Sequence, residues 1–289
     1  MEERGTGDQG LEERREKTID RILVALDPSV HSRAALEAAA EMAARFGAEL
    51  QALFVEDVNV RRLSELPFVQ EIGFYTGVCR RVERHELSRQ LRVQAGRVRR
   101  QFQVVTQQIE ARCSFEEVRG RVASTVLEAA AEADVIILGK GAWSVVDTGR
   151  LAPDVREVLS RAPASTLVLH AGSAVRPPVR VVYTDTELAD KALTIGARLA
   201  EDGHLMVFVL ADDADEARRL QQAAEEDVAG VQLELSFQTL TEASVSRLSY
   251  LMAHEGQGTL VLPADAHAMG EEALLEFLDE TSAPVLLVR

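Results

Sequence analysis

The sequence has few cysteines, no long apolar run and no apolar leader. Its two cysteines, Cys79 and Cys113, are too few for a disulfide framework and fit no metal-binding spacing, so we expect reduced thiols. No stretch of about 18 uninterrupted apolar residues occurs. Residues 1–18 are charged and aperiodic, which predicts a disordered tail and not a signal peptide. These absences predict a cytoplasmic protein without a membrane segment.

Basic residues are scarce in the second part of the chain. Residues 180–289 contain 7 Lys or Arg and 21 Asp or Glu, whereas residues 1–179 contain 25 and 26. The net charge of −15 therefore lies almost wholly in the second part. Such a field repels nucleic acids and anionic membranes, so we expect neither as a partner. Arginines follow one face of the helix predicted before residue 110, but no aromatic platform accompanies them, which favours a solvated face.

Motifs of the common catalytic and metal sites are also missing. The histidines are scattered, without metal-ligand spacing, at positions 31, 85, 170, 204, 254 and 267. The sequence contains no nucleophile elbow, Walker loop or intact dinucleotide-binding glycine motif. His31 is close to Asp27 in sequence, but a single histidine at a helix start is usually a surface residue. We therefore expect a protein that binds or interacts, and not an enzyme.

What the sequence does contain is a strand, a helix and a second strand at its start. RILVALD (21–27) is a short apolar run that predicts a buried strand. Pro28 and Ser29 then favour a helix start, and Gly47 is the residue that a left-handed C-terminal cap prefers. AELQALFVEDV (48–58) follows as a strand. Such a βαβ unit predicts a parallel sheet with right-handed crossovers.

The same arrangement returns after residue 180. The segment RVVYTD (180–185) again predicts a strand that ends in aspartate. A predicted helix follows, which ends at Gly203, and the next predicted strand is HLMVFVL. Later segments correspond too: ADVIILGKG (133–141) matches GTLVLPAD (258–265), and APASTLVLH (162–170) matches SAPVLLVR (282–289). We predict two α/β domains, residues 19–171 and 180–289, joined by a hinge-like linker over 172–179 that contains glycine and two prolines.

The two halves differ between their second and third strands. The second half has one short helix there, over residues 215–229, whereas the first half has an apolar loop and a long helix. The helix has an apolar stripe at Leu87, Leu91, Ala95, Val98, Phe102, Val105 and Ile109. The apolar loop residues are Leu66, Phe68, Phe74 and Tyr75. The loop over 61–78 is interpreted as a lid, a pocket for an apolar ligand, a subunit contact or a segment packed on its own domain.

Three segments resemble the universal stress protein family: VALDPSVHS after the first strand, VIILGKGAW at the fourth and APASTLVLH at the fifth. The duplication resembles the tandem, UspE-like two-domain members of that family. The resemblance implies two doubly wound, five-stranded parallel sheets of order 3-2-1-4-5, of the adenine nucleotide alpha hydrolase-like type, arranged as a pseudo-dimer. Ligands of such sheets bind at the carboxyl ends of strands 1 and 4, where the strand order reverses.

In ATP-binding members of the family, an aspartate after strand 1 contacts adenine and a valine ending strand 2 lines the base pocket. A G-x-x-G-x₉-G-[S/T] loop after strand 4 wraps the phosphates, because glycines let the backbone approach an anion closely. The resemblance assigns Asp27 and Val55 to the adenine side. Leu138 and Gly139 open the loop, and Ala142 takes the second glycine position.

The remaining loop positions depart from the family pattern. Ala152 stands at the third glycine position and Pro153 at the hydroxyl position, so one of four positions is retained. The Pro-Asp pair that opens the helix LAPDVREVL is similar to tandem members with a degenerate loop. In the second half the loop is too short for the motif, and we interpret Asp185 as a helix cap.

The resemblance and the degenerate loops together predict a stress-response protein that acts by binding or by protein interaction. ATP or another adenine nucleotide in the first domain is one alternative, and an apolar small molecule under the 61–78 loop is another. We also expect residues 166–170 and 284–289 to pair the two domains within the chain. A homodimer remains open.

Overall fold

The computed structural model describes residues 19–63, 70–72, 79–81, 84–144, 149–200, 203–240, 248, 252, 258–265 and 270–289. The first half contains β1 (Arg21–Leu26), α1 (Val30–Phe46), β2 (Glu49–Asp57), α2 (Val58–Leu63), β3 (Gln70–Ile72), β4 (Cys79–Arg81), α3 (Arg84–Thr106), β5 (Cys113–Gly120), α4 (Val122–Ala130), β6 (Val135–Gly139), α5 (Pro153–Arg161) and β7 (Ser165–Leu169). The second half contains β8 (Val179–Tyr183), α6 (Glu187–Leu199), β9 (His204–Leu210), α7 (Ala214–Asp227), β10 (Glu234–Leu240), β11 (Thr259–Pro263), α8 (Glu271–Glu280) and β12 (Val285–Val288).

One sheet of ten strands runs through both halves, in the order β10-β9-β8-β11-β12-β7-β6-β1-β2-β5. Within each half the neighbouring strands are parallel. The five strands that each half contributes to this sheet follow the order 3-2-1-4-5, and β3 and β4 form a separate antiparallel pair. The predicted α/β class with a mostly parallel sheet is therefore confirmed, and ten strands are consistent with two five-stranded units.

The halves meet where β12 pairs antiparallel with β7. Leu286 lies opposite Leu167, and the flanking residue pairs are Val285 with Val168 and Leu287 with Thr166. Leu167 and Leu286 lie in one hydrophobic cluster on the same face of the sheet. Because antiparallel neighbours in one sheet are related by an axis perpendicular to it, the two halves present equivalent helices on the same face. The domain limits of 19–171 and 180–289 stay a prediction.

Apolar side chains fill both faces of the sheet. In β1, Val24 and Leu26 point into one cluster, whereas Leu23 and Ala25 point into the other. This burial on both sides explains why the strand is an almost continuous apolar run and does not alternate with polar residues. The first face is covered by α1, α3, α6 and α7, and the second by α4, α5 and α8.

The ends of α1 confirm the predicted caps. The Ser29 hydroxyl accepts a hydrogen bond from the Ser32 amide at the N-terminus. Gly47 has a φ of 66° at the C-terminus, and its amide donates to the Ala43 carbonyl. This is the left-handed conformation that glycine adopts without steric cost. The alanines between the caps let the helix lie close to β1 and β6.

The long helix of the first half is present as α3, and Ala95, Val98 and Phe102 of the predicted stripe are buried. Ile109 lies beyond the end of the helix, where its amide closes a turn onto the Thr106 carbonyl. The predictions for the apolar loop concern Leu66, Phe68, Phe74 and Tyr75, which lie outside the described residues, as does the predicted tail over 1–18. No helix in the described part of the chain is long and apolar enough to cross a membrane.

The interpretation of Asp185 as a helix cap is wrong. Thr186 is the N-cap of α6, and its hydroxyl accepts a hydrogen bond from the Ala189 amide. The Asp185 side chain is 71% exposed and lies 3.2 Å from the Arg219 guanidinium. Both residues are common helix caps, so sequence composition alone did not distinguish them.

We expect Thr186→Ala to lower the free energy of unfolding by about 1 kcal/mol, because an alanine cap leaves helix amides unpaired. Asp185→Ala should change it by less than about 0.5 kcal/mol, because exposed ion pairs contribute little. Urea denaturation of the two variants beside the parent chain measures both values. A larger loss for Asp185→Ala than for Thr186→Ala would restore the aspartate as the cap.

Candidate functional site

The candidate site is the crevice at the carboxyl ends of β1 and β6. These strands are parallel neighbours, with Ile22 opposite Val135 and Val24 opposite Ile137. Asp27 follows β1, and Gly139 ends β6, so both lie at the same edge of the sheet. This is the place where the strand order reverses, with β2 on one side and β7 on the other.

The Asp27 carboxylate is buried and makes hydrogen bonds through both oxygens. Its Oδ1 accepts from the Ser29 amide at 3.0 Å, from the Ser29 hydroxyl at 2.5 Å and from the Ser32 hydroxyl. Its Oδ2 accepts from the Trp143 amide at 2.6 Å. Asp27 therefore connects the first turn of α1 to the loop that follows β6.

Among the residues that the structure describes, Trp143 is the one non-glycine residue with a positive φ, which is 60°. Left-handed backbone is unfavourable for a bulky side chain and persists where neighbouring contacts hold it. Here the Trp143 amide points at the Asp27 carboxylate, and its ring packs on the apolar cluster of the second face. The hydrogen bond from Trp143 to Asp27 accounts for this conformation.

Two glycines of the loop lie against His31. A Cβ added to Gly139 would be 2.7 Å from the His31 carbonyl carbon, and one added to Gly141 would be 2.6 Å from its Nε2. Both distances are shorter than real side chains tolerate, so each glycine makes room for the histidine. The ring of His31 also meets the ring of His170 edge to face, with centroids 5.4 Å apart.

The expectation that His31 is a surface residue is wrong, because only 3% of it is exposed. The physical reason is that α1 begins directly above the end of β6, so its first turn faces the sheet. The signal that could have revealed this is the pair of glycines at alternate positions, 139 and 141, which leaves room for a side chain from elsewhere.

Four backbone amides of the loop donate to carbonyls of the protein itself. Lys140 donates to Leu169 at 2.7 Å, and Ala142 donates to Gly139 at 3.0 Å. Ser144 donates to Gly141, and Ala152 donates to Lys140. The contacts of Ala142 and Ser144 close local turns, whereas those of Lys140 and Ala152 connect the loop to the end of β7 and join its two ends. They use amides that a phosphate-binding loop would direct at its ligand.

The other predicted site residues lie in the apolar core beneath the loop. Val55, Leu138 and Ala142 are all buried in the cluster of the second face, together with Ala152. The structure thus brings Asp27, Gly139 and Ala142 together at the edge of the sheet, and it places Val55 and Leu138 under them. Their roles toward a nucleotide stay a prediction.

The side chain of Lys140 leaves the crevice and contacts the second half. It is buried, and its Nζ donates to the Asp279 carbonyl at 2.8 Å and to the Thr281 carbonyl at 3.0 Å. These carbonyls belong to the C-terminal end of α8, where a cation is favourable. No motif in the sequence indicated this contact, because its members are about 140 positions apart.

The Asp279 side chain binds the same loop in return. One carboxylate oxygen accepts from the Leu151 amide at 2.7 Å, and the other accepts from the Arg156 guanidinium. The Asp279 side chain is mostly buried. The anion next to the N-terminus of α5 is therefore a carboxylate of the chain itself.

Asp154 adds a second negative charge at the start of α5. Burial raises the pKa of its carboxyl, while a hydrogen bond from the Ala123 amide acts in the opposite direction. A carboxylate in the first turn of α5 repels a phosphate that approaches the same helix end. Two carboxylates, Asp154 of α5 and the Arg156-paired Asp279 of α8, therefore lie next to the position where the family motif has its hydroxyl residue.

The sequence model of the universal stress protein family matches residues 18–170, which is more than half of the chain. The chain belongs to the universal stress protein family. No match was found among the curated proteins. The predicted family is thereby confirmed. The tandem, UspE-like arrangement stays a prediction.

Solved universal stress proteins share this fold over nearly the whole chain. A universal stress protein from Archaeoglobus fulgidus DSM 4304 is 16% identical over 94% of this chain and 97% of its own, with a TM-score of 0.66. One from Pseudomonas aeruginosa UCBPP-PA14 is 16% identical over 93% of each chain, with a TM-score of 0.52. A universal stress protein in complex with cAMP is 16% identical over 54% of this chain and all of its own, with a TM-score of 0.38. At these identities the first two likenesses concern the fold alone.

The crevice of the second half of this universal stress protein is acidic. Asp185 is exposed, and Asp265 accepts a hydrogen bond from the Thr186 hydroxyl at 3.2 Å. Glu271 and Glu272 stand exposed in the first turn of α8. Because Arg219 offsets the charge of Asp185, the other three carboxylates are the ones that oppose the binding of a phosphate. Within the described residues, no group of three or more His, Cys, Asp or Glu side chains is arranged to hold a metal ion.

Proposed function

We propose that this universal stress protein is a two-domain, cytoplasmic stress-response protein that acts by protein interaction, with the nucleotide crevice of its first half closed by the chain itself. The observation that carries the proposal is the state of Asp27. Both oxygens of the carboxylate that would contact adenine already accept hydrogen bonds from Ser29, Ser32 and Trp143.

Opening this crevice for a nucleotide would break strong contacts. Hydrogen bonds to a charged group contribute about 1.5–3 kcal/mol each. Oδ1 already accepts three hydrogen bonds, and Asp27 is only 6% exposed, so an adenine that reaches Oδ2 must share it with the Trp143 amide or displace that amide. A ligand gains net affinity only from what remains after such contacts are lost.

His31 occupies the space next to Gly139 and Gly141. The buried His31 contacts both glycines, so a phosphate approaching their backbone must displace α1 or the histidine ring. Asp279 and Asp154 place two carboxylates near the start of α5. Steric and electrostatic effects therefore both support a role that does not depend on ATP.

The surface of α3 supports interaction as the activity. Leu36 of α1 and Val104 and Val105 of α3 line a groove of about 400 Å³ between the two helices, and Arg97 and Arg100 stand at the same groove. Arg33 and Glu37 of α1 form an ion pair at the same groove, so Arg97 and Arg100 give its rim a net positive charge. Apolar side chains with a charged rim are typical of interaction surfaces. The second half has a shorter helix at the corresponding place, so this surface belongs to the first half.

Isothermal titration calorimetry of the full chain with Mg-ATP tests the proposal. We expect no saturable heat, which corresponds to a Kd weaker than about 1 mM. Asp27→Asn and Asp185→Asn serve as matched variants, with circular dichroism to verify that each is folded. Micromolar binding to the parent chain that Asp27→Asn abolishes and Asp185→Asn retains would replace our proposal with an ATP-binding function.

A further inference from the structure

We propose that two copies of this chain associate face to face, with the basic helix α3 of one copy docked on the acidic helix α7 of the other. This goes beyond the proposed function because it identifies a partner surface and its occupant. It follows from the charges of two helices, from their places in the sheet and from the apolar side chains exposed beside them.

The charges of the two helices are opposite and large. Residues 84–106 of α3 contain six arginines and one glutamate, which amounts to +5. Residues 212–227, which comprise α7 and the two residues before it, contain seven acidic residues and two arginines, which amounts to −5. Complementary fields of this kind steer association and fix the register of an interface.

Much of this charge is not neutralised within the chain. Arg97 and Arg100 are exposed and form no ion pair with the residues that the structure describes, and the same holds for Glu225 and Glu226. By contrast, Arg99 lies 3.7 Å from Glu117 and stacks over the Phe115 ring. These four charged side chains, of which Glu226 accepts a hydrogen bond from Gln222, are therefore the ones available for ion pairs with a second copy.

The two helices cannot neutralise each other within one chain. α3 packs beside β5 at one end of the sheet, and α7 packs beside β10 at the other end. Ten strands spaced about 4.8 Å apart separate these ends by about 43 Å. The complementary partner of each helix must therefore come from another molecule.

Both helices lie on the same face of the sheet. Ala95, Val98 and Phe102 of α3 belong to the same apolar cluster as Ala217 and Leu220 of α7. A second copy turned over onto this face brings its α7 above α3 and its α3 above α7. The two contacts are then identical, as a closed two-fold dimer requires.

Exposed apolar side chains accompany the charges. Val93 and Val104 of α3 are 43% and 71% exposed, and Val231, which follows α7, is 46% exposed. These are three of the four large apolar side chains that the described residues expose, the other being Val30 at the start of α1. The groove lined by Arg97, Arg100 and Val104 is on the same surface. An apolar centre with a charged rim is the usual composition of a protein interface.

Sedimentation equilibrium of the full chain at low and high salt tests the dimer. We expect a dimer in 20–50 mM salt, and its Kd should rise at least ten-fold in about 500 mM salt, because salt screens exposed charges. A parent chain that is monomeric at 100 μM in low salt would overturn the inference. A species larger than a dimer would overturn the closed arrangement.

Charge reversal distinguishes this interface from any other. Arg97→Glu/Arg100→Glu and, separately, Glu225→Arg/Glu226→Arg should each raise the dimer Kd at least ten-fold, because like charges then face each other. A one-to-one mixture of the two variants should dimerise again, because every contact in the mixed pair joins opposite charges. Failure of the mixture to recover would contradict the pairing of α3 with α7.

A matched control lies on the other face of the sheet. Glu272 and Glu276 of α8 are exposed, and α8 packs on the second face through Phe277 and Leu278. Glu272→Arg/Glu276→Arg makes the same change in net charge as the α7 variant, and it should leave the dimer Kd within two-fold of the parent value. Equal weakening by both variants would attribute the effect to net charge and overturn the specific interface. The calorimetric titration with ATP tests the proposed function of the crevice. Its result does not depend on whether the chain dimerises, so the two inferences can fail separately.

Discussion

Asp27→Ala is expected to lower the free energy of unfolding by about 3 kcal/mol, because it removes a buried acceptor that serves several donors. The Trp143 amide and the Ser29 and Ser32 hydroxyls would lose a charged partner that is only 6% exposed. The variant would also remove the hydrogen bond that holds Trp143 at positive φ. Urea denaturation followed by circular dichroism measures the loss.

The control for Asp27→Ala is the corresponding position of the second half. Asp185 also follows the first strand of its half, but its side chain is exposed, so Asp185→Ala should have little effect. Comparable losses for the two variants would show that Asp27 has no special structural role. A near-zero loss for Asp27→Ala would show that the protein does not need this carboxylate for stability. The carboxylate of the parent chain would then be available to a ligand, which would weaken the proposed function.

Gly139→Ala is the second large effect, and we expect it to cost about 3 kcal/mol. The added Cβ would be 2.7 Å from the His31 carbonyl carbon and 2.8 Å from its oxygen. Backbone atoms in the first turn of a packed helix cannot move aside as the end of a flexible side chain can. The helix α1 or the end of β6 must therefore shift, which disturbs the hydrogen bonds of Asp27.

A glycine in an open position gives the matched control for Gly139. Gly96 lies within α3, where an added Cβ meets an Arg100 nitrogen at 3.6 Å, an ordinary contact. Gly96→Ala should therefore stabilise the protein by roughly 0.5–1 kcal/mol, because alanine favours the helix. Thermal and urea unfolding of both variants should show changes of opposite sign. A Gly139→Ala variant as stable as the parent would contradict the close approach of α1.

The fold was largely predictable from local patterns. The run at 21–27, the Ser29 cap and Gly47 are each explained by burial or by backbone conformation within a few residues. The repeat of these patterns after residue 180 and the family resemblance together supplied the strand order. Such features are local or repeated, so one sequence is enough to recognise them.

The candidate site was less predictable because its contacts join distant parts of the chain. Gly139 was interpreted as a residue that lets a phosphate approach, whereas in the structure it lets α1 approach. The sequence contains the same glycine in either case. The side chain of Lys140, the next residue, caps α8 through the Asp279 and Thr281 carbonyls, and no motif indicates this contact. Which of two groups occupies a position depends on packing between parts of the chain that are distant in sequence, and no local pattern encodes it.

The antiparallel contact between β7 and β12 has a thermodynamic consequence. When two separate chains pair through such strands, the association loses translational and rotational entropy and depends on protein concentration. Here residues 170–178 connect the half of the chain that contains β7 to the half that contains β12. Each of these strands therefore meets its partner at a high effective concentration. The ten-stranded sheet is therefore complete in a single dilute molecule. Both strands are interior, which leaves the edges at β5 and β10 and the helical faces for contacts with other molecules.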